Sequence, residues 1–307
     1  MFLPKKKDCI VAIGMSAYNS EATIGIAVSS ILSQDNSNWH LTIIDAHSDD
    51  QTWQMCKGYA QMDERISIIR MPNRSNWYEN AKLHLELNSS PFFMWADADD
   101  AWSSNWISEN LKALGSGNFA VSFGRLYTMN AASELSFHPG FGKTFQEFSQ
   151  RSSLMRTLGF FAEPEGFGKA NLIYGIWRSE YLNQYFPRGY TDFSGAKDLA
   201  FLGQVIQFHR IACAPKATII RRVPNLPKGL KLDEVEFVKL GEHKEFKRPL
   251  PVLKAFFGSL PVRLIPIQTD KIENRIVRYL SVGILLGRSG LSEIAKIGYF
   301  IWSRIKL

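Results

Sequence analysis

Short apolar runs recur along the first 125 residues, and each gives way to polar positions and then to a stretch of helical period. Residues 9–15 (CIVAIGM), 39–45 (WHLTIID), 66–70 (ISIIR), 92–96 (FFMWA) and 119–124 (FAVSFG) read as buried strands. After the first run, Ser20 is the expected N-cap of a helix whose core stripe is Ile24, Ala27, Val28, Ile31 and Leu32. Further helices are expected over about 50–62, over 77–88 with Leu83 and Leu87 one turn apart, and after Ser104 with Ile107, Leu111 and Leu114. Gly115 and Gly117 stop the last of these. The alternation predicts an α/β fold: a mostly parallel, Rossmann-like sheet with right-handed crossovers and helices on its faces.

Beyond about 130 the pattern becomes irregular. Residues 137–143 and 159–169, rich in Gly and Phe, read as loops near a site; 171–178 reads as a strand, 198–208 as a helix and 216–222 as a last strand. Pro224, Pro227 and Pro249 then break the chain, and its end is basic and helical. The expected organisation is one domain over 1–224, divided at about 125, followed by a basic helical region over 225–307.

Composition narrows the choice of function. With 21 Phe and 8 Trp in 307 residues, the chain has ample apolar surface for a core, which excludes a disordered protein. A formal charge of +7 favours anionic partners. Nucleic acid is not expected among them, because no basic-aromatic stripe or recognised motif supports it. Cys9, Cys56 and Cys213 are too few and too scattered for a disulfide framework. Cys9 and Cys213 read as core thiols, and a reducing, cytoplasmic setting follows. Neither a signal peptide nor a run of about 18 apolar residues is visible.

Candidate chemistry sits where apolar runs end. Ser16-Ala17-Tyr18-Asn19, then Asp45 with His47 and Ser48, then Asp97-Ala98-Asp99-Asp100 each follow a strand. In a parallel sheet those carboxyl ends share one edge, so segments far apart in sequence converge on a single crevice. Three carboxylates in four residues repel one another unless water or a cation compensates them. Buried residues before them and Trp102 after them favour a divalent cation, for which carboxylate oxygens are natural hard ligands. A dinucleotide-binding oxidoreductase is excluded by GMSAYNS, which lacks a GxGxxG turn.

The stretches VAIGMSAYNSEATIGIAVSSILSQ, LTIIDAHSDDQT and PFFMWADADDAW, in that order and spacing, resemble the nucleotide-binding half of inverting GT-A glycosyltransferases of family 2. The resemblance covers residues 9–124 and reaches weakly to about 222; 125–224 would then form the acceptor half. It implies a nucleotide-sugar donor, UDP- or GDP-linked, and Mn²⁺ or Mg²⁺. Ser16, Ala17 and Tyr18 stand where the family's first loop touches the nucleotide, and Asp45 is the first of an acidic pair whose second member is Ala46 here. Asp97 and Asp99 occupy the DxD, Asp97 meeting ribose or metal and Asp99 holding the metal; Asp100 completes the DADD pattern. Lys82 falls near the nucleotide. The family's catalytic base corresponds to Asp198, where the usual preceding Glu is Lys197, and Asp192 is the alternative base.

The implied activity is inverting transfer of a sugar to a hydroxyl of a glycan or lipid-linked acceptor. Such chemistry needs neutralised charge on the leaving diphosphate and a base for the acceptor proton. The alternative is a catalytically degenerate relative that binds a nucleotide sugar or glycan, suggested by Ala46 and Lys197. Residues 252–265 and 276–305 mix Leu, Ile, Phe and Trp with Lys and Arg, the composition of helices that lie on a membrane's inner face. His47, His138 and His209 read as ordinary loop or core residues, Trp102 and Trp106 as core packing, and Glu163 and Glu165 as solvated or acceptor-facing.

Overall fold

A computed structural model describes residues 9–115, 117–130, 135–137, 169–189 and 197–222, together with Ser152, Ser153, Arg156 and Phe160. Asp192, Glu163, Glu165, His138 and the whole of 225–307 lie outside these described residues.

The early chain alternates strand and helix as its pattern predicts: β1 (Val11–Ala17), α1 (Ile24–Leu32), β2 (Trp39–Asp45), α2 (Thr52–Met62), β3 (Ile66–Arg70), α3 (Trp77–Leu87) and β4 (Phe92–Asp97). After it come β5 (Ala101–Trp102), α4 (Trp106–Leu114), β6 (Phe119–Met129), β7 (Leu135–Phe137), a 3₁₀ turn over Lys169–Tyr174, β8 (Ile176–Arg178), α5 (Ser179–Gly189), α6 (Lys197–Phe208) and β9 (Arg210–Arg222). Among the described residues one sheet runs β3-β2-β1-β4-β8-β6-β9-β5, with β7 beside β6.

β3, β2, β1 and β4 are parallel. Their apolar side chains face both layers of helices, which is why these strands read as continuous hydrophobic runs rather than alternating ones. Beyond β4 the sheet turns mixed: β8 lies antiparallel to both β4 and β6, and β5 antiparallel to β9, whereas β6 and β9 pair in parallel.

Several local expectations are corrected. Residues 171–178 are not one strand: Asn171 to Tyr174 coil as a 3₁₀ turn, and only Ile176–Arg178 pairs. Gly175 marks the change, because a Cβ there would sit 2.6 Å from the Ser122 carbonyl oxygen. Ser20 does not cap α1 with its side chain. Its hydroxyl bonds back to the Tyr18 carbonyl, and its own carbonyl receives the Thr23 and Ile24 N–H groups. Ser104 does not cap α4 either; Ser103 accepts the first N–H, that of Trp106. Helix α3 forms as expected; its buried residues are Asn80, Ala81 and His84, with Leu83 and Leu87 half-buried. His84 fits under β1 because Gly14 has no side chain; a Cβ there would lie 2.5 Å from its ring. Cys56 is the fully buried thiol, while Cys9 and Cys213 are half-buried.

The core follows the aromatics. Trp39, Trp95, Trp106, Trp177, Phe93, Phe123, Phe186 and Phe201 are all fully buried. Trp102 and Trp106 pack in this core as expected, Trp106 edge-on to Phe123 at 5.4 Å.

Candidate active site

The strand register puts the three polar clusters side by side. Ala17 pairs with Asp45 across β1 and β2, and Ser16 pairs with Asp97 across β1 and β4. A cavity of about 500 Å³ opens at this edge. Its wall comprises Ser16 to Ser20, Thr23, Ala46, Ser75, Trp77, Asn80, Asp97, Ala98, Asp99 and Arg222. That volume suits a nucleotide-sized ligand.

The first two loops are laced together. Asn19 and His47 adopt left-handed backbones, with φ of 47° and 70°. Asparagine and histidine tolerate that region better than most residues. The Asn19 N–H donates to Ser48 Oγ (3.0 Å), the Asp49 N–H to Asn19 Oδ1 (2.9 Å), and the Ser20 N–H to Thr52 Oγ1 (2.7 Å). Asp45 is fully buried behind the wall. Its Oδ1 accepts from the Ser48 hydroxyl at 2.5 Å and the Ser48 N–H at 3.2 Å, and its Oδ2 lies 3.4 Å from Arg70 Nε. Arg70 also donates to the Ser48 carbonyl at 2.8 Å. The carboxylate thus braces the loop that carries Ala46. His47 is a loop residue whose Nδ1 sits 3.0 Å from the Met71 carbonyl oxygen.

Tyr18 is half-buried on the wall, and Arg74 lies over its ring at 4.4 Å. Trp77 begins α3, whose N-terminus carries a full capping box between Asn76 and Glu79. Lys82, one helical turn further on, is 61% exposed, pairs with Glu86 at 3.7 Å and is not part of the cavity wall.

The acidic loop is organised differently. Asp97, Asp99 and Asp100 offer oxygens within 4.8 Å of one another. Asp97 is half-buried, Asp99 exposed to the cavity and Asp100 fully buried. The repulsion among them is relieved by Arg221 of β9, a residue that no sequence signal singled out. Arg221 Nη2 bonds to Asp97 Oδ2 at 2.9 Å, and its Nε lies 2.9 Å from Asp100 Oδ2, an ion-pair contact without the angle of a hydrogen bond. Asn171 accepts from Nη1 at 2.9 Å, and the guanidinium stacks over Tyr174 at 4.0 Å. A fifth of the Arg221 side chain still meets solvent, so the enclosure is tight rather than complete.

Burial pushes the Asp100 carboxyl upward in pKa, with Arg221 pulling the other way. Asp99 is also raised, first by lost water and then by the charge of Asp97, although its outer edge is open. No ion pair to Asp99 occurs among the described residues. The donor set fits a hard divalent cation: the exposed Asp99 carboxylate, with Asp97 beside it on the cavity wall. Asp100 is turned inward and acts through Arg221.

Asp198 lies in the first turn of α6, half-buried. Helix α6 packs on the 3₁₀ turn that presents Asn171 and Tyr174 to Arg221, so it borders the site without lining the described cavity. His209 closes α6 away from the cavity, its Nε2 2.9 Å from the Tyr185 hydroxyl. Burial, aided by the charge of Arg156, lowers its pKa to about 4.

Comparison with known proteins extends this picture. A family model described as Glycosyl transferase family 2 matches residues 12–167. Among related proteins, a UDP-Glc:alpha-D-GlcNAc-diphosphoundecaprenol beta-1,3-glucosyltransferase, WfgD of Escherichia coli, is 28% identical over 123 residues, or 40% of this chain and 48% of that protein. A putative teichuronic acid biosynthesis glycosyltransferase of Bacillus subtilis, TuaG, is 26% identical over 37% of this chain and 45% of its own length. The match therefore spans just under half of each of these relatives. Among solved structures, S. aureus TarS 1-349 in complex with UDP-GlcNAc superposes with a TM-score of 0.55 at 15% identity, covering 90% of this chain and 80% of that one. GalNAc-T7 with UDP, GalNAc and Mn²⁺ gives 0.54 at 12% identity, over 89% of this chain and 55% of that one. The shared architecture is the GT-A fold: a mostly parallel sheet flanked by helices, as the alternation of elements predicts.

Proposed function

We propose that this chain, which belongs to glycosyl transferase family 2, moves a sugar from a nucleotide-diphosphate sugar to a hydroxyl of a glycan or lipid-linked acceptor, with inversion and with Mn²⁺ or Mg²⁺. The observation that carries the reading is the cavity at the carboxyl ends of parallel strands, where Asp99 stands open beside an Asp97 held by Arg221. In this reading 9–124 holds the donor and 125–224 the acceptor. The first-loop residues Ser16, Ala17 and Tyr18 form the nucleotide wall, and Asp45 supports it from behind. Asp97 and Asp99 hold the metal, which when bound supplies positive charge against the leaving diphosphate.

Asp198 takes the acceptor hydroxyl's proton. Its position at a helix N-terminus suits a carboxylate electrostatically. The acceptor's oxygen attacks the anomeric carbon from the face opposite the departing nucleoside diphosphate, so one substitution inverts the centre. Of the two relatives above, one is named for a diphosphoundecaprenol-linked acceptor and the other for teichuronic acid biosynthesis, which supports a lipid-linked or glycan acceptor here. The basic, apolar composition of 225–307 supports peripheral contact with the inner membrane face. No helix of the described residues is long and apolar enough to cross a membrane.

The test is release of nucleoside diphosphate from a panel of UDP- and GDP-sugars with Mn²⁺, with and without glycan and lipid-linked acceptors, and the anomeric configuration of any product by NMR. Acceptor-stimulated release with an inverted product is expected. Absence of turnover on the whole panel, with intact nucleotide binding, would favour the degenerate binding protein instead. Liposome flotation with and without 225–307 checks the membrane contact, and no flotation of the full chain rejects it.

A further inference from the structure

β9 ends in two adjacent arginines whose side chains go to different places. Arg221 is committed inward, to Asp97, Asp100, Asn171 and the Tyr174 ring, and does not line the cavity. Arg222 lines the cavity instead, alongside Asp97, Ala98 and Asp99. Its backbone N–H reaches Asp100 Oδ1 at 3.4 Å, which seats the residue against the acidic loop. Its side-chain Nε is buried and has no hydrogen-bond partner among the described residues. Neighbouring residues of a strand end send side chains to different faces, so one strand supplies both an internal counter-ion and a cavity-facing cation.

A guanidinium carries five N–H donors in a planar fork and accepts nothing. One that lines a nucleotide-sized cavity and makes no side-chain hydrogen bond or ion pair with the described residues suits an anion with several oxygens. Asp99 does not fill that role: it makes no ion pair with Arg222, and its open carboxylate suits a metal. We propose that Arg222 grips the diphosphate of the nucleotide donor and stabilises it as the leaving group. The inference rests on the proposed glycosyltransferase reading and adds to it a protein-borne cation on the diphosphate.

In the transfer, the bond from the anomeric carbon to the β-phosphate oxygen breaks, with its electron pair going to that oxygen. The acceptor oxygen bonds to the same carbon and gives its proton to the base. Negative charge therefore grows on the β-phosphate as the bond breaks. Arg222 donors that meet the diphosphate strengthen as that charge develops, which lowers the barrier as well as the dissociation constant.

The experiment uses the full chain and calorimetric titration with uridine and guanosine mono- and diphosphates, with Mn²⁺ and with EDTA, on wild type, Arg222→Gln and Arg222→Lys. Arg222→Gln should weaken the diphosphate by about tenfold or more while moving the monophosphate by about twofold or less. Its kcat should fall further, and Arg222→Lys should recover part of both because it keeps the charge but not the fork. Wild-type diphosphate affinity and kcat in Arg222→Gln would overturn the proposal. An equal loss for mono- and diphosphate would overturn it too, since it would mark Arg222 as shaping the pocket. Should Arg222→Gln not fold, Arg222→Lys decides: unchanged kcat and unchanged preference for diphosphate reject the proposal. Failure of the wild-type chain to bind any nucleoside diphosphate is a different result, seen without mutation, and it removes the glycosyltransferase reading itself.

Discussion

Two loops at the same sheet edge each hold a buried carboxylate beside an arginine, and they are built on opposite plans. In the loop after β2, Asp45 is satisfied locally, by Ser48 three residues away and by Arg70 at the end of the neighbouring strand. In the loop after β4, Asp97 and Asp100 depend on Arg221, more than 120 residues further along the chain. The first loop is closed upon itself and presents backbone and the small Ala46 to the cavity. The second keeps one carboxylate, Asp99, in the open. One loop is scaffold and the other carries reactive charge. The distant arginine lets three carboxylates stay together before any ligand arrives.

The sharpest way to break this contrast is to remove each arginine in turn. Arg221→Met strands Asp100 in a buried site and should cost about 3–5 kcal/mol in urea or thermal unfolding. Arg70→Met should cost about 1 kcal/mol, because Ser48 still satisfies Asp45 and Arg70 is partly exposed. Equal losses would mean that the two loops are not built differently. Next in size, Asp99→Ala should lower turnover by about a hundredfold or more and abolish metal-dependent nucleotide binding. Its melting temperature should not fall, since the side chain is exposed and forms no ion pair among the described residues.

His84 gives a smaller, pH-dependent effect from beneath β1. Burial pushes its imidazole down to about 3, against a small opposing pull from the Met15 backbone. A depressed histidine pKa means that the unfolded chain binds the proton first, so stability falls as pH drops below the unfolded value of about 6.5 and continues to fall to about 3. Between pH 7 and pH 5 the His84 contribution to the loss should be about 2 kcal/mol. In denaturant titrations, wild type should lose about 2 kcal/mol more than His84→Gln between pH 7 and pH 5, and equal losses would contradict the assignment. The smallest effect is expected for Lys82→Ala: an exposed pair with Glu86, away from the cavity wall, should change nucleotide affinity by less than about twofold. A large loss would restore Lys82 to the nucleotide site.

What was legible in the sequence was what is local. Parallel strands buried on both faces leave unbroken apolar runs, so β1 to β4 and the order of their polar ends could be read directly. The register Ser16–Asp97 and Ala17–Asp45 follows from that order. Antiparallel pieces such as β5 and β8 are two or three residues long and leave no periodic trace. Helix α3 was legible as a helix, whereas the slot that Gly14 opens under β1 and that His84 fills was not. Arg221 and Arg222 were invisible for the same reason: in sequence they are the basic end of a strand, and only the folding of β9 onto the sheet brings them to the acidic loop. The repulsion of the DADD carboxylates pointed to a cation; the arginine that shares that task could be found only in three dimensions.

The central claim is a nucleotide site whose open carboxylate works through a metal. Its most direct test is calorimetric titration of UDP and GDP into the folded chain, each with and without Mn²⁺. Binding of one nucleoside diphosphate that weakens by about tenfold or more when the metal is withheld is the expected result. No binding of either, or binding indifferent to the metal, would contradict it.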